Sequence, residues 1–191
     1  NNRIDPTSMD LLNKQIASPV IWPHLQYINL SFNKIDTTGI SNLMKSLQIG
    51  GKRVKVIKLS GCNINSTGAI PISNYIEETE ILEELDISFN SLQAAGAESI
   101  ANALMKNKSL TSVNLRQNNI GVIGGECLVK AMQSNFQIKV LCVADNKISR
   151  EVSIAIAGRL RGSTKDVIES FRANQLTIPS IHLEKTKRIF H

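Results

Sequence analysis

The chain has few aromatic residues, no long apolar run and no recognisable catalytic signature. Of its 191 residues only 4% are aromatic, with a single Trp, while 42% are apolar. That is enough to bury a core, which aliphatic side chains must fill. No stretch approaches the roughly 18 consecutive apolar residues that argue for a membrane-spanning helix, and no secretory leader pattern is visible. Three cysteines, Cys62, Cys127 and Cys142, cannot make a paired framework. Free thiols suit a reducing compartment, so the expected location is the cytoplasm, or a host cytosol if the chain is an injected effector. The histidines His24, His182 and His191 have no Cys, Asp or second His at ligand or triad spacing. The acids Glu77, Glu78, Glu80, Glu83, Glu84 and Asp86 lack the glycine-punctuated spacing of a calcium loop. Ile49-Gly50-Gly51-Lys52 imitates a phosphate loop, but no suitably spaced strand precedes it, and the glycines read better as the end of a helix. The expectation is a non-enzymatic chain with no cofactor, no metal site and no catalytic residue.

What is present is repetition. Leu25, Ile28, Leu30, Asn33 and Ile35 are followed by Val54, Ile57, Leu59, Cys62 and Ile64, then by Leu82, Leu85, Ile87, Asn90 and Leu92. Two more copies follow, Leu110, Val113, Leu115, Asn118 and Ile120, then Ile138, Leu141, Val143, Asn146 and Ile148. The steps between copies are 29, 28, 28 and 28 residues. Apolar residues at i, i+3 and i+5 followed by Asn suit a short strand that turns into a loop, with the apolar side chains in a shared core. Asn has two donors and an acceptor on a short stem, enough to satisfy backbone groups of its own turn and of the next coil. Cys62 takes that slot once, as a small buried group with a weak donor.

Four residues after the last apolar position stand Gly39, Gly68, Gly96 and Gly124, where conformational freedom is expected at the loop-to-helix junction. Val152 replaces the glycine in the fifth copy, so that junction must differ. Helical spacing follows at Ile40, Leu43 and Leu47, at Ala97, Ile100 and Leu104, at Leu128 and Met132, and at Ile156 and Leu160. Each unit reads as strand, loop, helix. A degraded sixth copy from residue 166 keeps Phe171, Asn174 and Leu176 but sets Asp166 and Glu169 at apolar positions, so a bulged or frayed strand is expected there. Asn2, Ile4, Met9, Leu12 and Ile16 answer Asn33, Ile35, Ile40, Leu43 and Leu47, so residues 1–24 read as a partial repeat. The expected organisation is one domain over residues 1–191, with repeats starting near 25, 54, 82, 110 and 138, cut from a longer chain and without clear caps.

These residues resemble the ribonuclease-inhibitor subclass of leucine-rich repeats, whose 28-residue unit reads Leu-x-x-Leu-x-Leu-x-x-Asn/Cys-x-Ile-x-x-x-Gly. The resemblance covers roughly residues 25 to 176. It implies an α/β fold, a right-handed solenoid or horseshoe with parallel strands on the concave face and helices on the convex face. The subclass also contains sensor arrays of NOD-like receptors, the Ran GTPase activator and the C-terminal part of tropomodulin, so the resemblance is specific for fold and not for task.

Side chains alternate across a strand, so the positions between the apolar ones face out of the concave wall. The partner-binding candidates there are Tyr27, Asn29, Phe32, Lys55, Lys58, Glu83, Glu84, Asp86, Phe89, Asn114, Arg116, Gln117, Lys139 and Asp145; Ser31, Ser60, Ser88, Cys142 and Ala144 share the expected orientation. Lys55 and Lys58 should align with Glu83 and Asp86, giving either weak cross-strand pairs or a polarised patch that orients a charged partner. Phe32 and Phe89 fill one slot two repeats apart and are candidate anchors, or simply covers for the loop below. Net charge is +6. From residue 138 onward ten basic residues face five acids, against 12 and 11 in the rest. With only Phe171 and Phe190 nearby, that end reads as a solvated face rather than a nucleic-acid site. The resulting expectation is a non-enzymatic scaffold that binds another protein on its concave face. The alternatives are a GTPase activator of the Ran-activator type, using Asn29, Asn114 or Arg116, and association of the basic end with nucleic acid or a membrane surface.

Overall fold

The computed structural model describes residues 4, 6–18, 20–50 and 53–159. The degraded copy from 166, Leu160, Lys52, His182, His191 and most of the basic C-terminal end lie outside the described residues.

Strands and helices alternate along the chain. The elements are α1 (Pro6–Ala17), β1 (Tyr27–Asn29), α2 (Thr37–Ile49), β2 (Val56–Lys58), α3 (Ser66–Glu78), β3 (Glu84–Asp86), α4 (Gln93–Lys106), β4 (Ser112–Asn114), α5 (Gly121–Ser134), β5 (Val140–Cys142) and α6 (Arg150–Arg159). The strands form one parallel sheet in the order β1-β2-β3-β4-β5. Ile28, Ile57, Leu85, Val113 and Leu141 stand side by side in it. Consecutive parallel strands demand a crossover, and each helix supplies one. The repeat apolar positions, from Ile28 and Leu30 to Leu141 and Val143, are buried with the inner helix positions Ile40, Leu43, Leu47, Ile72, Ile100, Leu104, Leu128 and Met132 in one continuous core. The result is the expected α/β solenoid: sheet on one wall, helices on the other.

Asparagine stitches the coils together. Asn118 Nδ2 donates to the carbonyls of Ile87, Leu115 and Arg116 at 2.9, 3.0 and 3.2 Å. Asn90 repeats the pattern and its Oδ1 accepts from Cys62 and Ile64 N–H at 3.0 and 2.9 Å. Asn146 does the same against the coil before it. Cys62 keeps only part of the role: its Sγ donates to Leu30 O at 3.1 Å, and burial pushes its thiol pKa up. Lacking an amide acceptor, that coil leaves Ile35 N–H to bond the Cys62 backbone carbonyl instead.

The four glycines work differently from the expectation. None of them has positive φ. They sit inside the first turns of α2 to α5, and a Cβ on Gly124 would lie 2.6 Å from Ile120 Cγ2 and 3.0 Å from Ala97 Cβ. In all four the tightest contact is with the apolar residue four positions earlier, and at Gly96 and Gly124 the preceding helix adds a second, so close packing and not backbone freedom selects glycine here. The fifth copy shows how the exception is accommodated. Val152 is buried at the slot, and its neighbour in the preceding coil is Gly125 where earlier coils have Ala69 and Ala97; a Cβ on Gly125 would stand 2.8 Å from Val152 Cγ1. Gly50 caps α2 as expected, donating to Leu47 and Ser46 carbonyls, and a Cβ there would collide with Ile16 O at 2.1 Å.

Candidate functional site

The sheet's outer face is built in rows. Each strand points its middle residue into the core and its two flanking residues outward, which follows from the two-residue side-chain period. One row runs Tyr27, Val56, Glu84, Ser112, Val140 and the next Asn29, Lys58, Asp86, Asn114, Cys142. Lys55, Glu83 and Lys139 precede their strands and line the edge where helices return to strands. Phe32, Phe89, Gln117 and Asp145 line the opposite edge, where strands lead into helices. The candidate residues therefore form one wall with two edges rather than one uniform face. Ser60, Ser88 and Ala144, expected to point outward, are buried: the chain bends inward after β2, β3 and β5, and Ser88 Oγ bonds Ser60 Oγ at 3.0 Å and Asp86 Oδ1 at 2.6 Å.

Charges on the wall satisfy one another. Lys55 Nζ reaches Glu83 Oε1 at 2.7 Å, as the alignment implies. Lys58 stands beside Asp86 in register but pairs diagonally with Glu84 Oε1 at 3.3 Å, because the Asp86 carboxylate is taken up by Ser88 N–H and Oγ. The Glu84 hydrogen bond holds the Lys58 pKa above its usual value, against a smaller opposing cost of burial. Arg116 pairs with Asp145 at 2.8 Å and lies over the Phe89 ring, 5.7 Å from its centroid. Lys58 lies the same distance from the Tyr27 ring centre. These half-exposed pairs contribute on the order of 0 to 1 kcal/mol each. They leave the wall close to neutral in its middle. Cys142 faces outward, and burial raises its thiol pKa, so it is protonated at neutral pH.

The strand-to-helix edge presents aromatic rings from an unusual backbone. Phe32, Gly61, Phe89, Gln117 and Asp145 occupy one slot in five successive coils, and all have φ between 52° and 63°. Only glycine adopts this region without cost. Phe32 and Phe89 are nonetheless 59% and 42% exposed. Phe32 lies on Gly61, where a Cβ would come within 2.7 Å of its Cδ1. The Phe32 ring thus covers the adjoining loop and keeps its other face in solvent.

Residues required by the activator alternative are engaged within the chain. Asn29 Oδ1 accepts from Ser31 N–H, Asn114 Oδ1 accepts from Arg116 N–H, and Arg116 is paired. Among the described residues no group of three or more His, Cys, Asp or Glu is placed to hold a metal. No helix there is long and apolar enough to cross a membrane.

A second asparagine ladder escaped the sequence reading. On the helix-to-strand edge Asn107 Nδ2 donates to Ile76 and Thr79 carbonyls at 2.7 and 3.0 Å, and Asn135 Nδ2 to Leu104 and Asn107 carbonyls at 2.6 and 3.1 Å. Their 28-residue separation was the available signal. Thr79 holds the same slot one coil earlier with a shorter side chain. A groove of about 370 Å³ opens there, lined by Leu47, Gln48, Tyr75, Glu78, Thr79, Glu80 and Ile81.

The comparisons with known proteins agree with this architecture. A family model described as leucine-rich repeat matches residues 23–44, 54–73, 81–101 and 106–129. Ribonuclease inhibitor from Sus scrofa is 31% identical over 67 residues, a match spanning 35% of this chain and 15% of that protein. Among solved structures, leiomodin-1 actin-binding site 2 superposes with a TM-score of 0.71 at 15% identity, covering 97% of this chain and 99% of that one. The C-terminal domain of tropomodulin from Caenorhabditis elegans gives 0.69 at 14% identity, covering 87% and 97%. With the repeats, the parallel wall and the asparagine ladder in place, the chain is a leucine-rich repeat protein of the ribonuclease-inhibitor-like type.

Proposed function

We propose that the chain is a non-enzymatic scaffold that grips a partner protein across its concave wall and the adjoining strand-to-helix edge. One observation carries the reading: five parallel strands present an ordered, outward-facing grid that no other described segment covers. Such a wall offers a folded partner contacts from several coils at once, with a typical total burial of about 1,000 to 2,000 Å². Phe32 and Phe89 serve as anchors, because exposed rings on a stiff backbone bury apolar area with little loss of conformational freedom. Tyr27, Asn29, Lys58, Glu84, Asp86, Asn114, Arg116, Gln117 and Asp145 supply the polar surround, with Lys55, Glu83 and Lys139 at its margin. The internally paired charges favour a partner of mixed polarity over a strongly charged one. Three free cysteines go with a cytoplasmic location.

The likenesses to leiomodin-1 actin-binding site 2 and tropomodulin make actin the first partner to test. In co-sedimentation with filaments and in pull-down of monomeric actin, wild type should bind, and a Phe32→Ala/Phe89→Ala variant should lose at least tenfold in affinity at unchanged thermal stability. The same pair of proteins run against a lysate tests the scaffold reading independently of actin. Equal recovery of every bound protein by both would remove the two rings as anchors.

A further inference from the structure

The helix-to-strand edge carries a feature that the scaffold reading does not use. Residues 18–26 connect α1 to β1, nine residues where the later connections, 50–55, 79–83, 107–111 and 135–139, have five or six. In a solenoid, an insertion in one coil projects from the face that bears the loops. This one carries Val20, Ile21 and Trp22, which are 83%, 50% and 38% exposed. A hydrogen bond from Leu25 N–H to Trp22 O at 3.2 Å closes the turn behind the indole. Ile49, the last residue of α2, and Phe136, on the connection to β5, lie at the same edge and are 65% and 51% exposed. Large apolar side chains thus recur along one line of loops.

Basic residues stand among them. Lys14, Arg53, Lys108 and Lys139 are exposed and make no ion pair among the described residues. The acids of this edge are mostly engaged: Glu77 with Lys106, Glu83 with Lys55, and Glu78 with Gln48 Nε2. Glu80 is the acid left without such a partner among the described residues. Apolar tips interspersed with uncompensated cations therefore face solvent together.

We propose that this edge is a peripheral membrane-docking surface that meets an anionic phospholipid bilayer, with Val20, Ile21 and Trp22 as its inserting tip. Two observations select a bilayer over an acidic protein. The exposed apolar side chains are dispersed over several coils, at Val20 to Trp22, at Ile49 and at Phe136, and a folded partner would need a matching contact at each, whereas the bilayer interface deforms around any of them. Trp beside branched aliphatics suits the headgroup boundary, where an amphipathic ring keeps its N–H hydrated. The cations without an ion pair among the described residues add attraction to an anionic leaflet within about a Debye length.

The chain carries one tryptophan, so Trp22 emission is a built-in probe of this loop. Titrated with vesicles of phosphatidylcholine plus phosphatidylserine at low salt, the whole chain should co-sediment with them and its emission should shift to the blue. Pure phosphatidylcholine vesicles and high salt should weaken both signals. Ile21→Ser should lower the partition coefficient severalfold. Arg53→Gln should lower it about fivefold, the equivalent of about 1 kcal/mol per basic residue near the surface. Both positions are exposed, and unchanged circular dichroism would verify folding. Phe32→Ala/Phe89→Ala should bind vesicles like wild type, which separates this surface from the concave wall. No emission shift with anionic vesicles overturns the proposal, as does binding indifferent to Ile21→Ser. The same shift produced by soluble polyglutamate would reassign the edge to an acidic protein and also overturn it.

Discussion

The two loop edges of the solenoid use one device to different extents. On the strand-to-helix edge an amide or its cysteine substitute occupies every coil, and the backbone before it is left-handed five times running. On the helix-to-strand edge the ladder exists, among the described residues, at Asn107 and Asn135, and the earlier coils have Thr79, a groove and an inserted loop. Where buried amides satisfy the carbonyls of two coils, spacing is held by the interior and outward side chains are presented in register. Where they lapse, connections vary in length and in what they expose. Regularity suits a grid that reads a partner's shape; the irregular edge collects isolated apolar and basic points.

Breaking the regular edge should have the largest effect. Asn118→Ala removes one of two donors from each of the Ile87, Leu115 and Arg116 carbonyls and leaves the Leu92 N–H without its acceptor, and should cost about 3 kcal/mol or more in urea unfolding, since each hydrogen bond lost contributes about 0.5 to 1.5 kcal/mol and an orphaned buried group costs about 1 to 3 kcal/mol. Gly125→Ala should cost about 2 kcal/mol by overpacking against Val152 and Ile148, and a second change, Val152→Ala, should recover part of it in a double-mutant cycle. Thr79→Asn would extend the irregular edge's ladder by one rung and should raise stability by about 1 kcal/mol in the same assay. The smallest effect belongs to the wall itself. A cycle of Lys58→Ala and Glu84→Ala should give a coupling below about 1 kcal/mol, because the pair is well exposed.

The repeat spacing was enough to place the strands, the core and the stitching Asn118, since a period of 28 with a buried amide has few structural solutions. The inserted loop went unread although a signal was there: Asn2 and Asn33 stand 31 residues apart where Asn90, Asn118 and Asn146 stand 28 apart. The role of Gly124 was not legible, because it depends on how closely the Ile120 side chain and Ala97 of the preceding helix approach, distances that the spacing of the repeat does not encode. Lys58 was assigned to Asp86 because strand period fixes register; its choice of Glu84 depends on Ser88 having taken up the Asp86 carboxylate. The exposure of Phe32 and Phe89 follows from a left-handed backbone that composition does not announce, Gly61 being the one residue in that slot whose identity hints at it.

Hydrogen–deuterium exchange on the chain, free and bound to the partner that wild type recovers, tests the scaffold most directly. The account predicts slowed exchange along β1 to β5 and in the loops carrying Phe32 and Phe89, with α2 to α5 unchanged. Protection confined to the outer faces of those helices, with the strand wall exchanging as in the free chain, would contradict it.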